Sequence, residues 1–332
     1  MKKKLLFFCV ILFLSIVSQD IYSQAAFSTP LAHTFSIVAR DPDTGELGVA
    51  VQSHWFSVGS IVSWAEAGVG AIATQSFVNV SFGPRGLELL KEGKTAQEVL
   101  KILIEADEGR DVRQLAIIGA KGNAAVYTGK KCIPDAGHIM GENFSVQANM
   151  MLNDKVWSAM EQAFKQSKGH LAERMITALE AAQEVGGDIR GKQSAAILVV
   201  KGESSGKVWE DRLIDLRVED HPDPIHEIKR LLTVFRAYEF MNQGDLAIEK
   251  NDVEGALTAY GAAEAMFPDN LEMKYWHAVS LANVGMINES LPIFKVIFEK
   301  DRNWLLLTER LPKVDLLKVD PKALKKILSQ AK

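Results

Sequence analysis

The chain has 332 residues, of which 47% are apolar and 24% are charged, and its formal net charge at pH 7 is −4. This apolar content is enough for a packed core and excludes a disordered chain. Beyond the N-terminus no cluster of Lys and Arg indicates a nucleic-acid-binding face, so small molecules, peptides and proteins remain as partner classes.

The N-terminal segment has the pattern of a secretory signal peptide. Three lysines precede an uninterrupted apolar run, residues 5–17, which is too short for a comfortable membrane span. A polar stretch follows, and the small residues Ser23 and Ala25 suit cleavage after Ala25. We predict that residues 1–25 are a signal peptide, that the protein is periplasmic or secreted, and that no membrane contact remains after cleavage. An uncleaved N-terminal anchor is the alternative.

Strands predominate after this segment. The stretches TFSIVAR (34–40) and ELGVAVQ (46–52) flank DPDTG, whose Pro, Asp and Gly are turn residues, and predict a β-hairpin. Both stretches carry apolar residues on two faces, as expected for strands that are covered on both sides. The glycine-rich stretch GVGAIATQSF (68–77) predicts a third strand. The stretch RQLAIIGAKGNAAVYTG (113–129) predicts a second hairpin that turns at Lys121 and Gly122.

Helical periodicity appears between these hairpins. One helix is predicted to have Pro84 in its first turn, and the next to begin with a capping box of Thr95 and Glu98. Two more helices are expected over residues 154–166 and 170–185, and two strands follow, over residues 193–202 and 207–219. Because hairpins alternate with helix pairs, the sequence predicts an α+β domain of two stacked, largely antiparallel sheets with helices on the outer faces.

The segment HPDPIHE (221–227) is the predicted domain boundary, because two prolines in three residues interrupt strands and helices alike. The chain beyond it has a helical pattern that repeats after 34 residues. Small, aromatic and proline residues of the first copy occupy the positions typical of a tetratricopeptide repeat, namely Gly244, Ala256, Tyr260, Ala263 and Pro268. We predict a small all-α tetratricopeptide-like domain with a C-terminal tail over residues 225–332. A plain helical hairpin is the alternative.

Four blocks of the chain resemble one family. These blocks are TFSIVARDPDTGELGVAVQS (34–53), AGVGAIATQSFVNVSFGPRGLELL (67–90), FSVQANM (144–150) and GGDIRGKQSAA (186–196). In this order they are similar to DUF1028, a family of uncharacterised bacterial and archaeal proteins. The resemblance covers about residues 34–218 and implies that the domain 33–220 is Ntn-hydrolase-like, a four-layer αββα sandwich. Members of the family often carry a C-terminal extension, and no established substrate comes with the family.

The resemblance also implies a chemistry. In Ntn hydrolases a Thr, Ser or Cys that is the first residue of the mature chain is the nucleophile, and its own α-amine acts as the base. The matching residue here is Thr34. Cleavage after Ala25 leaves residues 26–33 in front of Thr34, so a second cut between His33 and Thr34 is needed to free the amine. The expected reaction is hydrolysis of an amide bond, and an ordinary strand residue at Thr34 is the alternative.

Other candidate residues lie at the ends of the same strands. Ser53 is predicted as a hydrogen-bonding partner of the nucleophile, and Asn149 as a contact for an oxyanion or a substrate amide. The residues predicted to bind substrate are Thr74, Gln75, Asp188, Arg190, Gln193 and Ser194. Each has a structural alternative: a strand-end serine, buried polar groups that bond one another, or an Asp–Arg pair that braces the neighbouring glycines.

Neither a metal nor a cofactor is predicted. The histidines are scattered without the paired spacing of zinc ligands, and the glycine motifs that bind phosphates are missing. Cys132, the single cysteine left after cleavage, is expected to be a small buried residue.

Two functional hypotheses follow. One is an exported amidohydrolase that acts on a small-molecule or peptide-like substrate. The other is a non-catalytic binding protein that uses the same cleft for a ligand or cell-wall fragment, while its helical tail docks a cell-wall or protein partner.

Overall fold

The computed structural model describes residues 31–331. The predicted signal peptide, residues 1–25, and its cleavage site after Ala25 lie outside the described residues. The chain divides into two compact units, one that ends at Lys229 and one that begins at Arg230. Within residues 31–331, every helix is too short or too polar to cross a lipid bilayer.

The first unit contains two β-sheets. Its strands in chain order are β1 (Leu31–Ala32), β2 (Thr34–Arg40), β3 (Leu47–Ser53), β4 (Ser63–Glu66), β5 (Gly70–Phe77), β6 (Arg113–Gly119), β7 (Ala124–Thr128), β8 (Gly137–Gly141), β9 (Phe144–Ala148), β10 (Ser194–Val200) and β11 (Arg212–Val218). One sheet has the order β1-β5-β6-β7, with β4 also paired to β5, and the other has the order β11-β10-β3-β2-β9-β8. All of these pairings are antiparallel, which confirms the prediction of two antiparallel sheets.

The two sheets face each other across a core of small and branched side chains. Val38 and Val51 of one sheet belong to the same buried cluster as Ala71 and Ile118 of the other. Successive residues of a strand point to opposite faces. Ile72, which follows Ala71, therefore belongs to a second cluster on the outer side of its sheet.

Helix pairs cover the outer faces of the sheets. The helices Phe82–Lys91 and Ala96–Glu105 pack against β5, β6 and β7. The helices Val156–Gln166 and Leu171–Glu184 pack against the other sheet, and a Cβ added at Gly48 of β3 would lie 2.5 Å from Met175 Cε. The layers of this unit therefore follow the order helices, sheet, sheet, helices.

Local signals fix several element ends. Thr95 Oγ1 accepts a hydrogen bond from the Glu98 backbone N–H at 3.3 Å, and Glu98 Oε2 accepts one from the Thr95 backbone N–H at 2.8 Å. This confirms the predicted capping box. The described chain also has short helical segments that the sequence pattern did not indicate, at Gly59–Val62, Arg110–Val112, Val208–Asp211, Leu311–Val314 and Ser329–Ala331.

The remaining helices follow the two sheets. They are Pro224–Glu249, Val253–Met266, Leu271–Asn283, Ile287–Lys300, Asn303–Arg310 and Pro321–Leu328. Pro224 stands at the first position of its helix, where a missing N–H is tolerated, so the second proline of the predicted linker begins a helix. The division between the two units falls after Lys229, inside this helix.

Candidate functional site

Thr34 is the first residue of β2 and is fully buried. It lies opposite Ser53 in the β2–β3 register. Its Oγ1 donates a hydrogen bond of 2.7 Å to the carbonyl oxygen of Ala32. Its own carbonyl oxygen accepts bonds from the Asn149 backbone N–H and from Gln75 Nε2, both at 3.1 Å. Thr34 therefore lies where polar groups from both sheets meet.

In the peptide bond that precedes Thr34, the carbonyl oxygen accepts hydrogen bonds from two donors. Ser53 Oγ donates to the His33 oxygen at 2.7 Å, and Arg190 Nη2 donates to the same oxygen at 2.7 Å. A hydroxyl and a guanidinium aimed at one carbonyl oxygen polarise that carbonyl and favour negative charge on the oxygen. The carbonyl of His33 is therefore polarised by two donors.

Asp188 fixes the orientation of Arg190. Its carboxylate accepts bonds from Arg190 Nε at 3.0 Å and from Arg190 Nη2 at 2.7 Å. It also accepts the backbone N–H of Arg190 at 2.9 Å and that of His54 at 3.1 Å, and its side chain has no exposed surface. The ion pair that the sequence suggested is present, and the same guanidinium reaches the carbonyl in front of Thr34.

Three buried side-chain amides hold the residues around Thr34. Gln114 Nε2 donates to the carbonyl oxygen of Ala148 at 2.9 Å. Gln114 Oε1 in turn accepts from Gln75 Nε2 at 2.6 Å and from Asn149 Nδ2 at 2.9 Å. These contacts fix which end of each amide donates.

The same chain of bonds assigns the tautomer of His33. Because Asn149 Nδ2 donates to Gln114, Asn149 Oδ1 is the acceptor in its 2.7 Å contact with His33 Nδ1. His33 Nδ1 therefore carries the proton, and Nε2 keeps a lone pair. Burial lowers the pKa of His33, and the nearby positive charge of Arg190 lowers it further against the opposing effect of the Asn149 bond. His33 is thus a buried, neutral imidazole next to Thr34.

Three of the predicted substrate-binding residues make their side-chain contacts elsewhere, although Ser194 lies opposite Ser53 in the β10–β3 register. Thr74 Oγ1 donates to the carbonyl oxygen of Asn79 at 3.2 Å. Gln193 Nε2 donates to Asp220 Oδ1 at 3.2 Å, and Ser194 Oγ bonds the Trp55–Val58 turn. The structure therefore brings together six of the nine predicted site residues: Thr34, Ser53, Asn149, Gln75, Asp188 and Arg190.

Two residues of this polar network were missed by the sequence analysis, namely His33 and Gln114. His33 was considered only as the residue before a cleavage point. Gln114 lies between Arg113 and the apolar remainder of β6, and a glutamine that is buried at the start of such an apolar run is the signal that could have marked it.

Backbone strain accompanies the site. Ser76 has φ of 73° and Met150 has φ of 61°, and these residues directly follow Gln75 and Asn149. Residues other than glycine in this left-handed region are held at a cost of roughly 1–3 kcal/mol each and persist only where the surroundings determine them. Because Ser76 and Met150 directly follow Gln75 and Asn149, the surrounding structure also fixes the positions of these two side-chain amides.

Within residues 31–331 no group of three or more His, Cys, Asp or Glu side chains is placed to hold a metal ion. Cys132 is free and buried; its thiol donates to the Arg113 carbonyl oxygen at 3.3 Å, and burial raises its pKa.

Comparisons with known proteins place most of the first unit in one group. A family model described as "Family of unknown function (DUF1028)" matches residues 34–228. A crystal structure of a protein from Silicibacter pomeroyi, described by the same family model, is 30% identical to this chain, with a TM-score of 0.55. The match covers 60% of this chain and 85% of that one. The comparison with curated proteins gives no match.

Proposed function

The chain belongs to the DUF1028 family, whose function is unknown, and we propose that it is an exported amidohydrolase of the Ntn type with Thr34 as its nucleophile. The order of layers supports the assignment to a four-layer αββα sandwich of that type. The position of Thr34 at the start of β2, inside a buried polar network, supports its role. The expected substrate is a small molecule or peptide with an amide bond, and no cofactor takes part.

The proposal requires a cut between His33 and Thr34. Thr34 Oγ1 attacks the carbonyl carbon of His33, the C–N bond breaks, and the nitrogen takes the hydroxyl proton to become the α-amine of Thr34. Water then hydrolyses the resulting ester, which leaves a carboxylate on His33 and restores the hydroxyl of Thr34. The two donors on the His33 oxygen, Ser53 Oγ and Arg190 Nη2, support this step because they stabilise the oxyanion that forms.

The same donors serve the substrate after the cut. Once His33 leaves, Ser53 Oγ and Arg190 Nη2 are free to bind the carbonyl oxygen of a substrate amide. The α-amine of Thr34, with a pKa of about 8, takes the proton from Oγ1 as that oxygen attacks. The proposal rests on one observation: Ser53 Oγ and Arg190 Nη2 both donate to the carbonyl oxygen of the residue directly before Thr34.

The mature N-terminus tests it. Intact mass of the exported protein is expected to match a chain that begins at Thr34. Thr34→Ala should retain the residues before position 34, whereas Thr34→Ser, which keeps a hydroxyl, should still be cut. Normal processing and undiminished amidase activity of Thr34→Ala would remove Thr34 from the mechanism.

A non-catalytic binding protein is the second candidate. In the uncut chain Thr34 has no exposed surface and its hydroxyl is bonded to Ala32. In a chain that keeps residues 31–33, Thr34 is thus inaccessible as a nucleophile, and this observation favours binding over hydrolysis for that form. An exported protein that retains these residues and binds a ligand or cell-wall fragment without turning over an amide would support this candidate.

The helical part is proposed to be a tetratricopeptide-like module that docks a cell-wall or protein partner. Tyr260 is buried in a cluster with Ala256 and Ala263, as the repeat pattern requires. A Cβ added at Gly244 would lie 2.6 Å from the Tyr260 ring, so the small residue is needed where the two helices meet.

A further inference from the structure

A cavity of about 430 Å³ lies within the second unit, where three helices meet. Its volume falls in the range of about 300–1,000 Å³ that is typical of small-molecule sites. The residues of its wall that matter for recognition are Asp245, Glu249, Tyr260, Trp276, Val279 and Ser280. None of these takes part in the chemistry proposed above.

Ser280 lines this cavity and has an unpartnered hydroxyl. It is 2% exposed, and its Oγ has no hydrogen-bond partner in the described part of the chain. It shares a helix face with Trp276 and Asn283, four residues before and three residues after it. The side-chain amide of Asn283 already has partners at both ends. Its Nδ2 donates to the Leu316 carbonyl oxygen at 3.0 Å, and its Oδ1 accepts from the Lys318 backbone N–H at 2.7 Å. Since a buried hydroxyl without a partner is unfavourable, Ser280 points to a polar group that arrives from the cavity.

The charged residues that line the cavity are both acidic and both exposed. Asp245 and Glu249 are one helical turn apart and both line it, whereas Lys, Arg and His are missing from its described wall. Asp245 Oδ1 accepts the Tyr260 hydroxyl at 2.6 Å, which leaves its second oxygen available. Within residues 31–331 neither carboxylate forms an ion pair. The unneutralised charge favours a cationic ligand.

Aromatic and apolar surfaces complete the wall. Tyr260 and Trp276 contribute ring surfaces, which attract cations through their π-electrons. Val279 offers apolar contact of the kind that a methylene stem requires. Acceptor oxygens, aromatic rings and an apolar surface together match a cation carried on a hydrocarbon chain.

We infer that this cavity binds an alkylammonium group of the type carried by a lysine side chain. The carboxylates of Asp245 and Glu249 and the hydroxyl of Ser280 accept hydrogen bonds from the three N–H donors of the ammonium. The rings of Tyr260 and Trp276 flank the cation and the stem.

Isothermal titration of the full-length protein tests this site with three probes. Nα-acetyl-lysine amide is expected to bind, whereas Nα-acetyl-norleucine amide, which has a similar stem without the charge, should bind at least about tenfold more weakly. n-Pentylamine distinguishes the source of the ammonium. Affinity equal to that of the lysine probe indicates recognition of the amine alone, and weaker affinity indicates that the peptide backbone contributes.

Variants locate the binding in this cavity. Glu249→Gln and Ser280→Ala should each weaken the lysine probe about fivefold or more, and Glu249→Gln should leave the norleucine probe unaffected. Glu289→Gln removes an exposed carboxylate outside the cavity and should change nothing. No binding of the lysine probe, equal binding of the lysine and norleucine probes, or an unchanged lysine affinity in both cavity variants of unaltered melting temperature would overturn the inference.

Discussion

Arg190 Nη2 donates a hydrogen bond of 2.7 Å to the carbonyl oxygen of His33, 157 residues earlier in the chain. The contact joins the turn before β10 to the residue in front of β2. It places a permanent positive charge on the peptide bond that precedes Thr34, and several measurable effects depend on it.

Loss of this donor should slow the proposed cut. We expect Arg190→Gln to reduce the rate of cleavage between His33 and Thr34 by about 10²–10³, the usual effect of removing one oxyanion donor. Mass spectrometry of the exported protein over time measures the rate. Arg212→Gln, an exposed arginine on β11, is the matched control. Equal rates in the two variants would show that the guanidinium has no part in the step.

Asp188→Asn should destabilise the first unit by about 2 kcal/mol. The buried carboxylate accepts several hydrogen bonds, and bonds to a charged group contribute roughly 1.5–3 kcal/mol. Urea unfolding measures the loss. Asp215→Asn, whose partners Arg212 and Arg217 are exposed, is expected to change stability by less than about 1 kcal/mol. A similar effect of both variants would contradict the importance that we give to burial.

The stability of the uncut Thr34→Ala protein should depend on pH through His33. Burial lowers the pKa of this imidazole from 6.5, so between that value and the lowered pKa the unfolded chain binds a proton that the folded chain does not. As far as His33 is concerned, the free energy of unfolding is therefore greatest above about pH 6.5, and it declines as the pH falls toward the pKa of His33 in the folded protein. Urea midpoints measured across this range should fall less steeply in a His33→Gln background. His138, whose pKa burial also lowers, remains in both proteins and contributes equally. An identical pH profile with and without His33 would argue against a buried neutral imidazole.

Two glycines of the second unit should respond in opposite directions to alanine. A Cβ at Gly244 would lie 2.6 Å from the Tyr260 ring, so Gly244→Ala is expected to destabilise the unit by about 1–3 kcal/mol. Gly261 has open space around its Cβ position, and Gly261→Ala should stabilise the helix by about 0.5–1 kcal/mol. Thermal unfolding of both variants measures the difference. Stabilisation by both substitutions would mean that the contact between Gly244 and Tyr260 is loose.

Much of the first unit follows from local pattern. Alternation and turn residues predict β2, β3 and the β6–β7 hairpin, and the capping box at Thr95 predicts a helix start. The β8–β9 hairpin was not predicted, although the sequence FSVQA of β9 alternates apolar and polar residues. Such alternation is typical of a strand with one face in solvent, whereas both faces of β9 are buried. The polar face is accounted for by a neighbouring strand, because Gln147 Nε2 donates to Ser36 Oγ of β2 at 2.6 Å.

The candidate site was predictable only in part, for a related reason. Thr34 was found through the family resemblance, and Ser53 because it ends the strand that pairs with β2 in one local hairpin. Gln114 bonds Gln75 and Asn149, which are 39 and 35 residues away, and no sequence spacing encodes such contacts. The role of Arg190 likewise depends on chain topology, which brings the turn before β10 next to β2.

The short strand β1 has a consequence for any peptide that would pair with the end of β5. It pairs Leu31 with Phe77 and Ala32 with Ser76, and it is covalently joined to Thr34 through His33. In the uncut chain it is therefore a tethered competitor, with an effective concentration on the order of millimolar. For a free peptide we compare two ratios: its concentration divided by its dissociation constant, and the effective concentration of β1 divided by the dissociation constant of β1. The peptide displaces β1 from the end of β5 only when the first ratio is the larger. Occupancy of this strand edge is thus governed by the integrity of one peptide bond.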